Sequence, residues 1–343
     1  MMRRFEAREP APRLPRFDDV QRATCNVHGA TRFEVRGATF NPMVVVLPLV
    51  LSTLASACAI GGQLQSRQPT DDTLRVLTYN LHGLLQDGPN PDWHPVRTAW
   101  LLDAIQELDP DVVGFQEVLQ TIDSDGSDNQ IKTLADSLSR RTGMTWEYRS
   151  AMAHPSWERF DEGIAILSRH PFVSAQEYRL EAKDVFQRNA LAARIQTPLG
   201  EIDFFTAHLA HRGEAELVRM AQVAEIKRAV GRRSADDPPA IIVGDFNAEP
   251  DRPSVQLATT ADSMGRFIDA FSAVHPDAAG HTFSAREPSR RIDYVFVTDT
   301  TSLTPVRAEI IFDGTVDGIM LSDHLGVVVD FVPSPGASGR TIR

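Results

Sequence analysis

Residues 244–247, Gly-Asp-Phe-Asn, set a carboxylic acid and an amide one residue apart at the end of the apolar run 240–243. Such a run reads as a buried strand, whose period-2 geometry sends Asp245 and Asn247 to one face and Phe246 to the other. An acid and an amide delivered side by side can hold a reacting water or a phosphate, because a strand positions side chains better than a mobile loop. Asp and Asn also favour turns, so a plain strand-end turn is the competing reading. The pattern recurs upstream: residues 74–80 (LRVLTYN) read as a strand ending in Asn80, and residues 111–117 (DVVGFQE) as an apolar strand ending in Gln116 and Glu117.

The elements that must carry these groups alternate along the chain. Behind Pro95, the spacing of Val96, Trp100, Leu101, Ile105 and Leu108 predicts a helix over 95–108 that stops before Pro110. Residues 119–129 read as a polar loop; Asp123, Asp125 and Gly126 lack the full spacing and closing Glu of a calcium loop, so a solvated turn is expected. A helix follows over 130–141, then strands near 146–152, 163–168, 172–180, 190–197 and 202–208, several joined by short antiparallel turns, so the sheet must be mixed. Residues 214–233 carry acids first and arginines last, with Leu217, Met220, Val223, Ala224 and Ile226 as an apolar stripe, and predict a long surface helix whose charges are solvated. After residue 247 comes an irregular segment, then strands near 292–297, 306–311 and 326–331 and a disordered tail from Pro333. No fixed-period repeat and no low-complexity linker divides residues 74–332, which read as one domain.

The composition bounds the rest. At 343 residues and 42% hydrophobic, the chain has ample material for a core. The net charge of −11 hides an asymmetry: residues 1–42 hold 8 Arg and 5 acids, leaving 27 basic against 41 acidic residues, or −14, for the remainder. So acidic a body argues against a tight, non-specific nucleic-acid binder. Residues 43–60 are uncharged and mostly apolar, follow Arg32 and Arg36, and run through Ala55-Ser56-Ala57 into Cys58. They resemble a bacterial lipoprotein signal, in which the cysteine is lipidated; an uncleaved anchor or an ordinary secretory signal are the alternatives. Residues 1–57 are therefore read as a leader with an export signal and 58–73 as a flexible tether. Cys25 lies in the leader and no cysteine follows Cys58, which excludes a thiolate zinc site and a cysteine nucleophile from the folded domain.

Six polar groups now stand at predicted strand ends: Asn80, Glu117, His208 in TAHL, Asp245 with Asn247, Asp293 in RRIDYVF, and Asp323 with His324 in SDH. Their order and contexts, with EGIAILSR at 162–169, resemble the endonuclease/exonuclease/phosphatase family of metal-dependent phosphohydrolases, related to DNase I and the neutral sphingomyelinases. The resemblance spans residues 74–332 and implies an α/β fold: a four-layer α-β-β-α sandwich of two mixed sheets, with a cleft where their strand ends meet.

A phosphodiester resists hydrolysis because its anionic oxygens repel a nucleophile, so its site needs a divalent cation, a base for water and a donor for the leaving oxygen. Glu117 is the best single metal ligand, and hard oxygen donors select Mg²⁺ or Mn²⁺. The resemblance implies that Asn80 assists it and that Asp323 reaches the same ion or a second one. His324 is the expected general base, with Asp293 as the partner the family supplies. Asp245 and Asn247 would orient the water and hold a phosphate oxygen. The resemblance places His208 near the scissile phosphate, to donate a hydrogen bond or to protonate the leaving group, oriented by Glu162. Arg188 could contact a substrate phosphate, or be a surface arginine or a salt-bridge partner. His82, His154, His211 and His281 carry no specific signal, while Trp157 and Phe160 could line the cleft rim or simply pack.

The reading that follows is an exported phosphohydrolase whose substrate is a phospholipid or small phosphodiester rather than DNA. A DNase I-like nuclease is the alternative. A non-catalytic binding protein on the same fold would have lost a catalytic side chain, and none is lost here.

Overall fold

The computed structural model describes residues 72–85, 94–122, 126, 128–183, 185–231, 238–299 and 302–335. The leader, residues 58–71 of the tether including Cys58, and Asp123 and Asp125 lie outside the described residues.

Among the described residues, fourteen strands form two six-stranded sheets and one short ribbon. In the first sheet the order is β11 (Leu303–Ile311), β14 (Gly326–Pro333), β1 (Leu74–Asn80), β2 (Val112–Thr121), β4 (Phe160–Ser168) and β3 (Glu147–Ser156). In the second it is β5 (Phe172–Arg179), β6 (Asn189–Thr197), β7 (Gly200–His208), β8 (Ala240–Asp245), β10 (Asp293–Thr298) and β9 (Phe267–Asp269). The ribbon pairs β12 (Thr315–Val316) with β13 (Ile319–Met320). Each sheet is mixed, with its parallel pair near the centre: β1 with β2, and β7 with β8. The parallel pairs matter for function, because both strands of a pair deliver their last residues to the same edge.

The two sheets close on each other through Val76, Val112, Ile164 and Ile166 on one side and Leu191, Phe204, Ile241, Val243 and Val295 on the other. Along β8, Ile241 and Val243 face this inner core while Ala240 and Ile242 face an outer one, so both faces are buried. That explains the unbroken apolar run at 240–243. Burial of each of Ile241, Ile242 and Val243 is worth about 1.5–3 kcal/mol.

The helices form the outer layers. α1 (Pro95–Leu108) starts at the His94 cap and packs on α2 (Gln130–Thr142), which the Asn129 side chain caps and which lies over β2 and β3. α3 (Glu216–Gly231) sets Val223, Ile226 and Val230 on the outer face of the second sheet, and α4 (Pro253–Thr259) packs against it. Among the described residues, no helix is long and apolar enough to cross a membrane.

Five expectations need correction. β2 does not stop at Glu117 but continues to Thr121, across a register shift between Gln116 and Val118. β8 ends at Asp245, and Asn247, at φ 51°, has left the strand, so period-2 alternation does not place it. The segment expected to be irregular contains α4, β9 and α5 (Ala270–Val274). Pro333 belongs to β14, and the Ser334 amide donates to the Ser302 carbonyl, so residues 333–334 continue the fold.

The charges of α3 are not all solvated, and Leu217, assigned to its apolar stripe, is 80% exposed. Arg219 and Lys227 are fully buried instead. Arg219 donates to the Ala210 and Arg212 carbonyls and pairs with Glu216; Lys227 donates to the Leu257 and Thr260 carbonyls and pairs with Asp262. Each buried cation is thus satisfied by carbonyls and one acid, the condition under which burial is tolerated. Arg219 thereby pins the turn that follows His208.

Candidate active site

Register in the second sheet builds the centre of the site. His208 on β7 is the partner of Asp245 on β8, and Asp245 is the partner of Asp293 on β10. Directly opposed residues project to the same face. Three ionisable side chains therefore stand in one row, all at most 3% exposed. The row needs β7 and β8 in close approach at Gly244, where φ is 142° and a Cβ would lie 1.9 Å from the Ala207 carbonyl oxygen.

His324 reaches this row from the loop before β14, its amide donating to the Ser322 hydroxyl. Its Nδ1 lies 3.0 Å from Asp293 Oδ2, and its Nε2 lies 3.7 Å from Asp245 Oδ2. On the other side, His208 Nε2 is 3.4 Å from the same Asp245 oxygen. Asp245 is thus flanked by the two imidazoles, and the ring of Phe283 covers His324 with centroids 4.9 Å apart. Asn247 comes back by a turn: its amide N–H donates to Asp245 Oδ1 and its Nδ2 to the Leu209 carbonyl.

The first sheet supplies the remaining acids. Asn80, at the end of β1, donates from Nδ2 to Glu117 Oε1 at 3.1 Å and to Asp245 Oδ2 at 3.2 Å, tying the sheets together. Its Oδ1 accepts from the His82 amide, so the side chain presents its nitrogen, not its oxygen, to the Glu117 carboxylate. Glu117 is the extra residue of the β2 bulge, at φ 54°. A bulge re-aims one side chain without ending the strand, and positive φ in a non-glycine residue is strain of the kind found at functional sites.

Glu162, on β4, was expected to touch His208. It does so only through Arg188: Arg188 Nη1 donates to Glu162 Oε1 at 3.0 Å and faces His208 Nδ1 at 3.1 Å. Arg188 is 5% exposed, so of the sequence alternatives it is the salt-bridge partner and not a surface residue.

The electrostatics follow from burial and proximity. Burial and then the charge of Asp293 raise Asp245 to about 7. Burial and then the charge of Glu117 raise Glu162 to about 7. Burial opposes the charged form of His324, yet the carboxylates of Asp293 and Asp245 raise it to about 10. Burial, aided by the positive charge of Arg188, holds His208 well below the usual imidazole range. Burial also opposes ionisation of Glu117, but the close approach of His82 and the positive charges of His82 and His324 outweigh it and keep the carboxyl ionised. The two imidazoles are thereby driven apart, one neutral and one charged, by their different partners.

Ligating atoms of Glu117, Glu162 and His208 lie within 4.8 Å of one another, as do those of Asp245, Asp293 and His324. Carboxylate oxygens without a thiolate, around an ionised Glu117 carboxylate, fit a hard divalent cation such as Mg²⁺ or Mn²⁺. Asp323 belongs to neither group; it stands across His82, whose Nδ1 is 3.4 Å from Asp323 Oδ1 and 3.6 Å from Glu117 Oε2.

Three histidines without a sequence signal line the site: His82, His154 (Nε2 3.7 Å from Glu162) and His211 (Nδ1 3.3 Å from Arg188 Nη2). His82 follows Asn80 by two residues, the one signal that could have placed it. His281 instead faces the Pro288 carbonyl. Trp157, 38% exposed, stands edge-on to His82 at the rim, whereas Phe160 packs with Leu85 and Leu119.

The sequence profile of the endonuclease/exonuclease/phosphatase family matches residues 77–324. Protein angel of Drosophila melanogaster is 25% identical over 224 residues, 58% of this chain; the chain spans 59% of that relative's length. Two solved structures share the fold: an endonuclease/exonuclease/phosphatase family protein from Leptotrichia buccalis (TM-score 0.61, 20% identity, 75% of this chain and 99% of that one) and an endonuclease/exonuclease/phosphatase from Beutenbergia cavernae (TM-score 0.60, 25% identity, 77% and 72%).

Proposed function

The chain belongs to the endonuclease/exonuclease/phosphatase family, and from that premise we propose that it is an exported hydrolase cleaving a phosphodiester by attack of a histidine-activated water. One observation carries this reading: His208 from the row His208–Asp245–Asp293, His324 and the first sheet's Asn80 converge on one buried carboxylate oxygen of Asp245.

A water beside His324 Nε2 and Asp245 Oδ2, which lie 3.7 Å apart, reaches both, and each is an acceptor once His324 has lost its Nε2 proton. Asp293 holds His324 by Nδ1, which leaves Nε2 to take the proton. Asn247 keeps its second Nδ2 hydrogen for a phosphate oxygen, and His208 Nε2 faces the same space for the leaving oxygen. Mg²⁺ or Mn²⁺ held by Glu117 would polarise the phosphoryl oxygens and offset the carboxylate charge that keeps His324 protonated. Glu162 keeps Arg188 in place.

The acidic body favours a phospholipid or small phosphodiester over DNA as substrate. A panel of sphingomyelin, phosphatidylinositol, inositol phosphates, DNA and RNA with Mg²⁺ or Mn²⁺ tests this. Turnover confined to the lipid or small-ester members is expected, and preferential cleavage of DNA would shift the reading to a nuclease. For the leader we propose lipidation at Cys58; fatty-acid label lost in Cys58→Ser is the expected result, and a mature protein starting elsewhere overturns it.

A further inference from the structure

The structure assigns to Arg188 a positioning role: it fixes the proton of His208 on Nε2, so that this imidazole works as a neutral hydrogen-bond donor and not as an acid that releases its proton. The role in turnover rests on the phosphohydrolase reading; the tautomer does not.

A guanidinium has five N–H donors, no acceptor, and does not deprotonate in proteins. Arg188 turns two of its nitrogens onto imidazoles, Nη1 at 3.1 Å from His208 Nδ1 and Nη2 at 3.3 Å from His211 Nδ1. A proton on His208 Nδ1 would set two N–H groups against each other inside a site where both residues are at most 5% exposed. That nitrogen must therefore offer its lone pair, and the ring's one proton goes to Nε2. Nε2 is the atom that faces Asp245 Oδ2, where the Asn80 amide also points. With the lone pair committed to Arg188, giving up the Nε2 proton would leave an imidazolate, so the proton of the leaving group comes from solvent.

Arg188 cannot readily turn away. Glu162 Oε1 holds Nη1, the Ser156 hydroxyl holds Glu162 Oε2, and outside them His154, Phe186 and His211 form a stack, with centroids 4.9 Å apart for the first pair and 6.0 Å for the second. The family resemblance implied a carboxylate, Glu162, that orients this histidine directly. Here Arg188 stands between the two. Without it, Glu162 becomes the nearest acceptor for Nδ1 and the tautomer should invert.

Nitrogen-15 NMR of histidine-labelled full-length protein reads the proton directly, with the His208 signals identified by their loss in His208→Gln. At neutral pH, without metal or substrate, we expect Nε2 protonated and Nδ1 bare in the wild type and in Arg188→Lys, which keeps a donor. Arg188→Met should invert the pair and lower kcat by about 10- to 100-fold with little change in KM, as loss of a partner orienting a functional imidazole does. A wild-type signal with Nδ1 protonated overturns the proposal, and this spectrum decides even if Arg188→Met does not fold. The expected tautomer in a protein that cleaves no phosphodiester would sustain the role of Arg188 in fixing the proton while rejecting the proposed function.

Discussion

Asp293 opens β10 of one sheet and His324 precedes β14 of the other, yet His324 Nδ1 lies 3.0 Å from Asp293 Oδ2 with both side chains buried. The contact joins the sheets at the point where the chemistry is proposed. Removing either member should lower kcat by about 10²- to 10⁴-fold, the usual contribution of a positioned acid–base group. Because the two act as one unit, His324→Ala with Asp293→Ala should be little worse than His324→Ala alone. Steady-state kinetics of the three variants decides, and losses that multiply would refute the dyad.

The metal reading rests on the ionised Glu117 carboxylate at the bulge. Activity should vanish in EDTA and return with Mg²⁺ or Mn²⁺, and Glu117→Ala should weaken Mn²⁺ binding in calorimetry by at least about tenfold. Full turnover in EDTA would remove the ion from the mechanism.

Gly244 precedes Asp245 at φ 142°, with no room for a Cβ beside the Ala207 carbonyl. Gly244→Ala should therefore cost about 2–4 kcal/mol or prevent folding. Gly143, at φ 70° with nothing within 4 Å of where a Cβ would sit, should cost only about 1 kcal/mol on change to Ala. Urea unfolding of the two variants measures the difference, and equal losses would show that the approach at Gly244 is not tight.

His154 is held down to about 4 by burial and then by the charge of Arg188. The fold thus accepts its neutral form, while the unfolded chain takes up a proton at about 6.5. Stability from this group is complete above that value and is lost as pH falls toward 4. Between pH 7 and pH 5 the loss should be about 1–2 kcal/mol. It should be absent in His154→Phe, which keeps the stack on Phe186, and identical pH dependence of urea midpoints in the two proteins would contradict it.

Patterns closed within a few residues were legible in the sequence. The apolar run at 240–243, Pro95 at the start of α1 and the helix over 130–141 reveal their state through local period and chain stiffness, and the motif residues His208, Asp245, Asp293 and His324 could be named from their contexts. What those contexts could not carry is register and burial, which depend on partners far along the chain. Nothing near Glu117 shows that β2 runs past it in a bulge, because the bulge exists only against β4. Arg219 and Lys227 read as solvated until the carbonyls of other segments surround them. Arg188 stands between Glu162 and His208 because β4, β6 and β7 meet across two sheets, and only that meeting decides which nitrogen of His208 holds a proton.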